Sequence, residues 1–229
     1  MFYFDPLYFV LLAPAIVLSL WATVKVKSTF NKYNLVPAAS HMTGADAARA
    51  LLAQNGVNIP VEEYPGKLSD HYDPRVRRLR LSSDVYHGRS IAAIGVAAHE
   101  AGHALQHATG YQPLLLRQSM APAANFGSGA SWFIILGGFL FGSMGLVKIG
   151  IVLFAVVVAF QLVTLPVELN ASARAKQMVY QYGMVTEAER GGVSSVLSAA
   201  AMTYVAAALS AVATLVYYLL RAGLLGGDD

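Results

Sequence analysis

The chain consists of long apolar stretches and one long polar segment. Asp, Glu, Lys and Arg are absent from four stretches: residues 7–24, 118–147, 149–167 and 191–220. Uncharged apolar runs of about 18 residues or more are typical of transmembrane helices. A buried soluble helix could explain one such stretch, but four together favour membrane spans. We therefore predict a mainly α-helical membrane protein with about four spans, the second and third joined by a tight turn near residues 142–145.

The polar segment, residues 25–117, is where we expect chemistry in water, and its pattern predicts a small α+β region. Thr43 and Asp46 have the spacing of a capping box, which predicts a helix that ends near Asn55. Residues 90–108 are rich in alanine and lack proline, which predicts a second helix.

Two short strands are predicted between these helices, at residues 68–72 and 76–81. Asp73 and Pro74 separate them and are typical turn residues, so we expect a short β-hairpin. The arginines of the second strand indicate an exposed edge of the sheet. Residues 60–66 are predicted to be irregular, because they contain two prolines and a glycine.

Charge adds a prediction of orientation. Only 13% of the residues are charged and 56% are hydrophobic, as in a membrane protein. Of the 16 Lys and Arg residues, all but Lys148 and Arg221 lie on one side of the predicted spans. By the positive-inside rule, residues 25–117 and 174–190 should face the cytoplasm, and the membrane of a bacterial source would be the plasma (inner) membrane. This orientation accounts for much of the net charge of +3, so no nucleic-acid partner is predicted.

The segment His99–His103 contains the pattern HExxH on a predicted helix. Because the chain has no cysteine, a metal site must use His, Asp or Glu. His99 and His103 lie on one face of a helix, about 6 Å apart, and can bind one metal ion. Zinc lowers the pKa of a bound water, and Glu100 can take its proton during attack on a peptide carbonyl. Two ordinary helix histidines are the alternative, but the position in the polar segment favours a zinc hydrolase.

Glu168, at the end of the third span, is the candidate third ligand. A carboxylate at the end of an apolar helix is costly without a partner, and the predicted orientation puts Glu168 on the same face as His99. An ion pair with Arg174 is the alternative explanation. His107 lies about 12 Å from His99 on a straight helix, so it should not bind the same zinc. Other residues stay open as the third ligand: His41, His71, His87, Asp70, Asp73 and Asp84.

Four segments resemble those of one family: SHMTGA at 40–45, DHYDP at 70–74, DVYHGRS at 84–90 and HEAGHALQH at 99–107. They are similar to the "putative neutral zinc metallopeptidases", the YugP-like family of bacterial membrane proteins. More distantly, the chain resembles the HtpX-like and CAAX prenyl membrane proteases, which have HExxH on one helix and a glutamate ligand on a later one. The resemblance implies a gluzincin-type zinc peptidase, with Glu100 as catalytic base and His99, His103 and Glu168 as ligands.

The predicted organisation has three parts: a transmembrane anchor at 1–25, a cytoplasmic zincin-like catalytic region at 26–118, and a transmembrane helical region at 119–229 that contains Glu168. The predicted function is that of an endopeptidase that cleaves membrane or membrane-associated proteins. By resemblance to the wider group, an extended substrate would pair with strand 79–81.

The sequence does not single out the residues that support the zinc ligands or stabilise the transition state. In the wider group an Asp four positions after the glutamate supports a zinc-ligating His, and Ser172 occupies that position here. Candidates for support or for transition-state stabilisation are His107, Asn170, Arg174, His71 and His87. A non-catalytic zinc scaffold is the alternative function, but a structural zinc site does not need Glu100. An ion transporter is disfavoured, because the other three spans contain no acidic residue.

Overall fold

The structure is a computed structural model that describes residues 5–225. The parts of the predicted regions at residues 1–4 and 226–229 lie outside the described residues. In chain order the elements are α1 (Pro6–Asn34), α2 (Gly44–Gln54), β1 (Val61–Tyr64), β2 (His71–Asp73), β3 (Arg78–Ser82), α3 (Ser83–Tyr86), α4 (Ile91–Ala108), α5 (Gln112–Leu140), α6 (Met144–Gln181), a 3₁₀ turn (Glu187–Glu189) and α7 (Arg190–Arg221).

The described part of the chain contains four helices that are long and apolar enough to cross a membrane. They are Pro6–Asn34, Gln112–Leu140, Met144–Gln181 and Glu187–Arg221. The tight turn predicted between the second and third span is confirmed, and Gly142 in it has a φ of 63°, a conformation that favours glycine. The protein is therefore a mainly α-helical, multi-pass membrane protein, as predicted.

The chain forms two compact units. The first comprises the described residues up to Trp21, Leu115–Pro166 and the described residues from Thr203 onward; the second comprises Ala22–Leu114 and Val167–Met202. Helix α6 therefore contributes to both units. The predicted boundaries at residues 25 and 118 concern function and topology, and they stay a prediction.

The first unit consists of apolar helices with close contacts. A side chain at Gly150 on α6 would lie within 3.0 Å of the backbone nitrogen of Ile135 on α5, so glycine permits this approach. Asp5 accepts hydrogen bonds from the Tyr217 hydroxyl at 3.0 Å and from Arg221 Nε at 3.1 Å. These contacts connect the start of α1 to the end of α7.

The second unit has a core between α2, α4 and a small sheet. Leu51 of α2, Leu79 of β3 and Ile94 of α4 are all fully buried there. The predicted capping box is confirmed, since the Asp46 amide donates to Thr43 Oγ1 and the Thr43 amide to the Asp46 carboxylate. The backbone of this unit thus follows the local signals in the polar segment.

The sheet has three strands in the order β1-β3-β2, and β2 is antiparallel to β3. The predicted hairpin is confirmed, with its strands shifted toward the C-terminus. Strand β1, Val61–Tyr64, was not predicted; it is parallel to β3, and Glu62 forms an ion pair with Arg78. The prediction that residues 60–66 are irregular is therefore wrong for β1, because pairing with a distant strand stabilises it.

Strand β3 is the central strand, and this changes the predicted substrate site. Its neighbours are β1 on one side and β2 on the other, so both of its edges are occupied. The prediction that a substrate pairs with residues 79–81 is therefore wrong. The sheet edge beside the predicted catalytic helix is β2, since the backbone amide of Tyr72 donates to Glu100 Oε2 on α4 at 3.0 Å.

Candidate metal centre

Helix α4 positions three of the predicted site residues. The Ser90 hydroxyl caps its first turn by accepting from the Ala93 amide at 3.1 Å. His99 and His103 are one turn apart, with ring centroids 4.7 Å from each other. His103 and the neighbouring Glu100 are each only 8% exposed, so both belong to a largely buried site.

A close approach of α6 to α4 brings in the third residue. A Cβ at Gly102 would lie 2.8 Å from the backbone oxygen of Ala171, so a side chain there would push the helices apart. Gln106 donates from Nε2 to the Val167 carbonyl at 2.8 Å and strengthens the same contact. Glu168, next to Val167, therefore faces the two histidines.

His99, His103 and Glu168 form a compact group of ligand atoms. One ligand atom from each residue lies within 4.8 Å of the others, and this is a group that could hold a metal ion. Glu168 Oε2 is 3.2 Å from His99 Nε2 and 3.4 Å from His103 Nε2. The Glu168 side chain is 2% exposed, so its carboxylate is directed into the group and away from solvent.

Hydrogen bonds determine which nitrogen of His103 faces the group. The Gln106 amide nitrogen donates to the Val167 carbonyl and to Asn170 Oδ1, so Gln106 Oε1 faces His103 Nδ1 at 3.0 Å. Because an amide oxygen only accepts, His103 Nδ1 must be the protonated nitrogen. The lone pair of His103 Nε2 is then available to a metal.

His99 has an equivalent arrangement. Its Nδ1 lies 3.2 Å from the hydroxyl oxygen of Ser172, which can accept a hydrogen bond from Nδ1–H and leave Nε2 for a metal. Ser172 is the residue that stands where the more distant relatives have Asp. Sequence analysis did not assign it or Gln106 a role. A glutamine three positions after His103, on a helix rich in small and apolar residues, was the available signal for Gln106.

Two comparisons with known proteins identify the family of the chain. The family model described as "Putative neutral zinc metallopeptidase" matches residues 8–223. The chain belongs to this family. It is also 54% identical over 204 residues to the "Putative membrane protease YugP" of Bacillus subtilis (strain 168), covering 89% of this chain and 91% of that protein. No solved structure matches the chain significantly.

Family membership identifies zinc as the metal of this zinc peptidase family, and the site fits it. Zinc is commonly held by two histidine nitrogens and a carboxylate oxygen, with a fourth position open for chemistry. His99, His103 and Glu168 supply this donor set, and both histidines have a hydrogen-bond partner at Nδ1. The predicted membership of the family of membrane zinc metallopeptidases is thus confirmed, and the role of each residue stays a prediction.

The other predicted candidates lie at different places in the second unit. Asn170 accepts from Gln106 and from Arg174 Nε, the latter at 2.8 Å, so it contacts the support of His103 rather than the ligand group. Arg174 also stacks over the ring of Tyr111. With Gln106, these residues form a polar chain that is partly exposed at Arg174 and ends at the buried His103.

The remaining histidine candidates are separate from the ligand group. His71 Nδ1 is 2.7 Å from the Ser69 carbonyl oxygen, and His87 is exposed beside Glu63. His107 is one turn beyond His103, and its Nδ1 is 2.8 Å from the Tyr72 hydroxyl. Burial, and then the charge of Arg77, lower the pKa of His107 below its ordinary value. His107 is therefore mainly neutral at pH 7, and its Nδ1 shares one hydrogen bond with the Tyr72 hydroxyl.

Among the alternative ligands, two of the three aspartates are engaged with other groups. Asp70 accepts from the Ser82 amide at 2.8 Å and from the Ser82 hydroxyl, and Asp73 pairs with Arg80 at 3.0 Å. Within residues 5–225, the group of ligand atoms consists of His99, His103 and Glu168 alone.

Proposed function

We propose that this protein is a membrane-embedded, zinc-dependent endopeptidase that hydrolyses peptide bonds of membrane or membrane-associated proteins. The observation that supports the proposal most directly is the ligand group of His99, His103 and Glu168 within 4.8 Å, with Glu100 on the same helix turn. This is a gluzincin-type arrangement of two histidines and a glutamate, with one further carboxylate left for proton transfer.

In this proposal His99 and His103 hold zinc through Nε2, and Glu168 holds it through its carboxylate. Bound zinc supplies Lewis-acid chemistry, lowering the pKa of a water and polarising a peptide carbonyl. Gln106 and Ser172 act by orientation, since each keeps a proton on Nδ1 of its histidine and directs Nε2 inward.

Glu100 is assigned the role of general base. Its carboxylate is outside the ligand group and largely buried. The Glu100 carboxylate would take the proton of the attacking water and later deliver it to the leaving amine nitrogen. A positioned carboxylate of this kind contributes roughly 10² to 10⁴ in rate.

The substrate backbone is assigned to the edge of β2 that faces away from β3. The Tyr72 amide points away from β3, because it donates to Glu100, and the carbonyl of the same residue lies on the same edge in an extended strand. Because the Tyr72 amide is bound to Glu100, the Tyr72 carbonyl is the group that can accept a hydrogen bond from an extended peptide beside the base, and this replaces the predicted pairing with residues 79–81.

We also propose that the site faces the cytoplasm from the plasma membrane. The basis is the distribution of basic residues, since Lys148 and Arg221 are the exceptions among 16 Lys and Arg residues. A site at that surface can reach polypeptides that emerge from the bilayer.

The deciding experiment compares purified wild-type protein with Glu100→Gln in detergent or lipid. Wild type should bind one zinc and cleave unfolded protein substrates, and Glu100→Gln should keep its zinc and lose most hydrolysis. Zinc content is measured by metal analysis and cleavage by mass spectrometry. Zinc without hydrolysis in the wild type would support a non-catalytic scaffold, and undiminished cleavage by Glu100→Gln would exclude Glu100 as base.

A further inference from the structure

A cavity of about 330 Å³ lies directly beside Tyr72 on the helix side of the sheet. Its lining includes Tyr72, Arg77, residues 56–59 and one face of the C-terminal part of α4, with Ala104, His107 and Ala108. Small ligands are usually bound in cavities of about 300 Å³ or more, so one substrate side chain has ample room. The small side chains of Ala104 and Ala108 leave this space open.

The cavity is connected to the proposed substrate site through Tyr72, which lines the cavity and lies on the strand that would pair with the substrate. Tyr72 is paired with the buried Leu79, so its side chain is on the sheet face that packs on α4. Residues opposite each other on neighbouring strands direct their side chains to the same face. A substrate residue opposite Tyr72 would therefore direct its side chain to the same sheet face as Tyr72, whose side chain lines the cavity.

The lining of the cavity contains one positively charged side chain, and this side chain has no ion-pair partner within residues 5–225. That cation is Arg77: Arg80 is paired with Asp73, and Arg78 with Glu62. None of the described residues that line the cavity is acidic. A second cavity on the other side of residues 57–59 differs, because its arginine, Arg49, is already bound to Asp46 and Tyr86.

The remaining polar groups of the lining are hydrogen-bond donors and acceptors without charge. The Tyr72 hydroxyl and Nδ1 of neutral His107 share one hydrogen bond, and His107 Nε2 is a further hydrogen-bonding group. Arg77 itself has a φ of 50°, a left-handed conformation that is costly for a residue other than glycine. This turn therefore keeps an arginine where glycine would be less strained.

We propose that this cavity is a substrate subsite that selects a carboxylate, and that Arg77 determines this specificity. The proposal rests on the proposed endopeptidase function, and it adds the substrate class: peptides with an acidic residue close to the cleaved bond. The carboxylate could belong to a Glu or Asp side chain or to the C-terminus of the peptide, and Arg77 would bind either by charge-assisted hydrogen bonds.

The test uses peptides with one cleavage site, blocked at both ends, in which Glu, Gln or Lys occupies each position around the cleaved bond. At one position wild type should prefer Glu over Gln by on the order of tenfold in kcat/KM, mostly through KM, as expected for one charge-assisted hydrogen bond. The preference should weaken with salt. A matched set with a free C-terminus identifies the source: a preference seen only there assigns the carboxylate to the peptide end.

Three variants separate the subsite from the fold. Arg77→Gly should reduce the ratio of Glu to Gln to about one without lowering the unfolding temperature, because glycine adopts the positive φ freely. Arg77→Glu should favour the Lys peptide. Arg75→Gly is the matched control, since Arg75 is an exposed arginine of the same turn outside the lining, and it should keep the wild-type ratio.

Binding of labelled Glu and Gln peptides to the Glu100→Gln protein, measured by fluorescence anisotropy, tests the subsite without hydrolysis. If the Glu100→Gln protein prefers the Glu peptide and the double variant Glu100→Gln, Arg77→Gly does not, the subsite is supported. If wild type in addition cleaves no peptide, only the endopeptidase function is rejected. Equal binding and cleavage of Glu and Gln peptides at every position would overturn the subsite and leave the peptidase intact. A preference that survives Arg77→Gly would also overturn it.

Discussion

The orientation of the two histidine rings depends on side chains outside the HExxH pattern. Gln106 is fully buried and connects His103 Nδ1 to the Val167 carbonyl and to Asn170, while Ser172 contacts His99 Nδ1. Such partners typically affect metal affinity by 10- to 100-fold, because they fix the tautomer and the ring angle.

Gln106→Leu keeps a similar volume but removes the amide. We expect zinc affinity to fall about 10- to 100-fold and stability to fall by roughly 1–3 kcal/mol, because His103 Nδ1–H and the Val167 carbonyl lose their buried partner. Zinc competition with a chelator and thermal unfolding measure both effects. Gln177→Leu, the same change at an exposed position of α6, is the control and should alter neither.

Glu168→Ala should weaken zinc binding severely, and hydrolysis should fall with it, because one of three protein ligands is removed. His107→Ala should retain most of the zinc, since His107 contacts Tyr72 and is outside the ligand group. Metal analysis of both folded variants shows which of the two side chains, Glu168 or His107, binds zinc. Stoichiometric zinc at wild-type affinity in Glu168→Ala would assign the third ligand to another residue.

Asp70 gives a prediction of pH dependence. Burial raises the pKa of Asp70, against the hydrogen bonds from Ser82, and the charge of Glu100 raises it further. A carboxyl group with a raised pKa in the folded state contributes stability below its unfolded pKa, about 3.9, and this contribution is lost as pH rises through the folded pKa. Asp70→Asn, which can still accept from Ser82, should therefore unfold at a higher temperature near pH 7. Unfolding curves from pH 4 to 8 that match wild type throughout would contradict this.

Helices α4 and α6 form the site by approaching at glycine. Gly102→Ala should reduce both zinc affinity and stability, because the new Cβ would lie 2.8 Å from the Ala171 oxygen and displace the helix that contains Glu168. Overpacking of this kind costs about 1–3 kcal/mol.

Gly95→Ala is the matched control on the same helix. Its Cβ would lie 3.6 Å from Val193 Cγ1, an ordinary contact, and alanine favours a helix over glycine by about 1 kcal/mol. It should bind zinc as wild type does and unfold at an equal or higher temperature. If Gly102→Ala behaves like Gly95→Ala, the close approach does not position the site.

Local signals predicted most elements, and the failures depend on distant contacts. The capping residues of α2, the alanine-rich α4 and the uncharged spans can be identified within short windows of sequence. Strand β1 lies between two prolines and contains two glutamates, so its propensity is low, and only its pairing with β3 stabilises it. The same missing strand led to the assignment of β3 as an edge.

The residues of the site also fall into those predicted from local sequence and those that depend on distant contacts. His99, Glu100 and His103 could be predicted from their spacing on one helix, whereas Glu168 was a candidate because of its position at the end of an apolar span, and the resemblance to a family favoured it over the alternatives. Gln106 and Ser172 have roles only because α4 and α6 are adjacent, and the sequence alone does not give that distance. Zinc and the peptidase family were predicted from sequence because the motif segments are specific.

The orientation of the whole molecule in the membrane can be tested with single cysteines, since the chain has none of its own. Ser69→Cys and Gly145→Cys, the latter at an exposed position in the first turn of the third span, should lie on opposite sides. An impermeant thiol reagent on intact cells should label Cys at position 145 and reach position 69 only after lysis. Labelling at position 69 alone would reverse the proposed topology.

A metal held by His99, His103 and Glu168 would also be a cross-link, because it joins α4 to α6 and closes a chain loop that includes all of α5. A ligand that binds only the folded form stabilises it by mass action, by about 4 kcal/mol at a thousandfold excess over Kd. Removing zinc should therefore lower the unfolding temperature even of the Glu100→Gln protein, in which catalysis plays no part. Zinc supply would then control how much of this protein persists in the cell, in addition to how fast each molecule works.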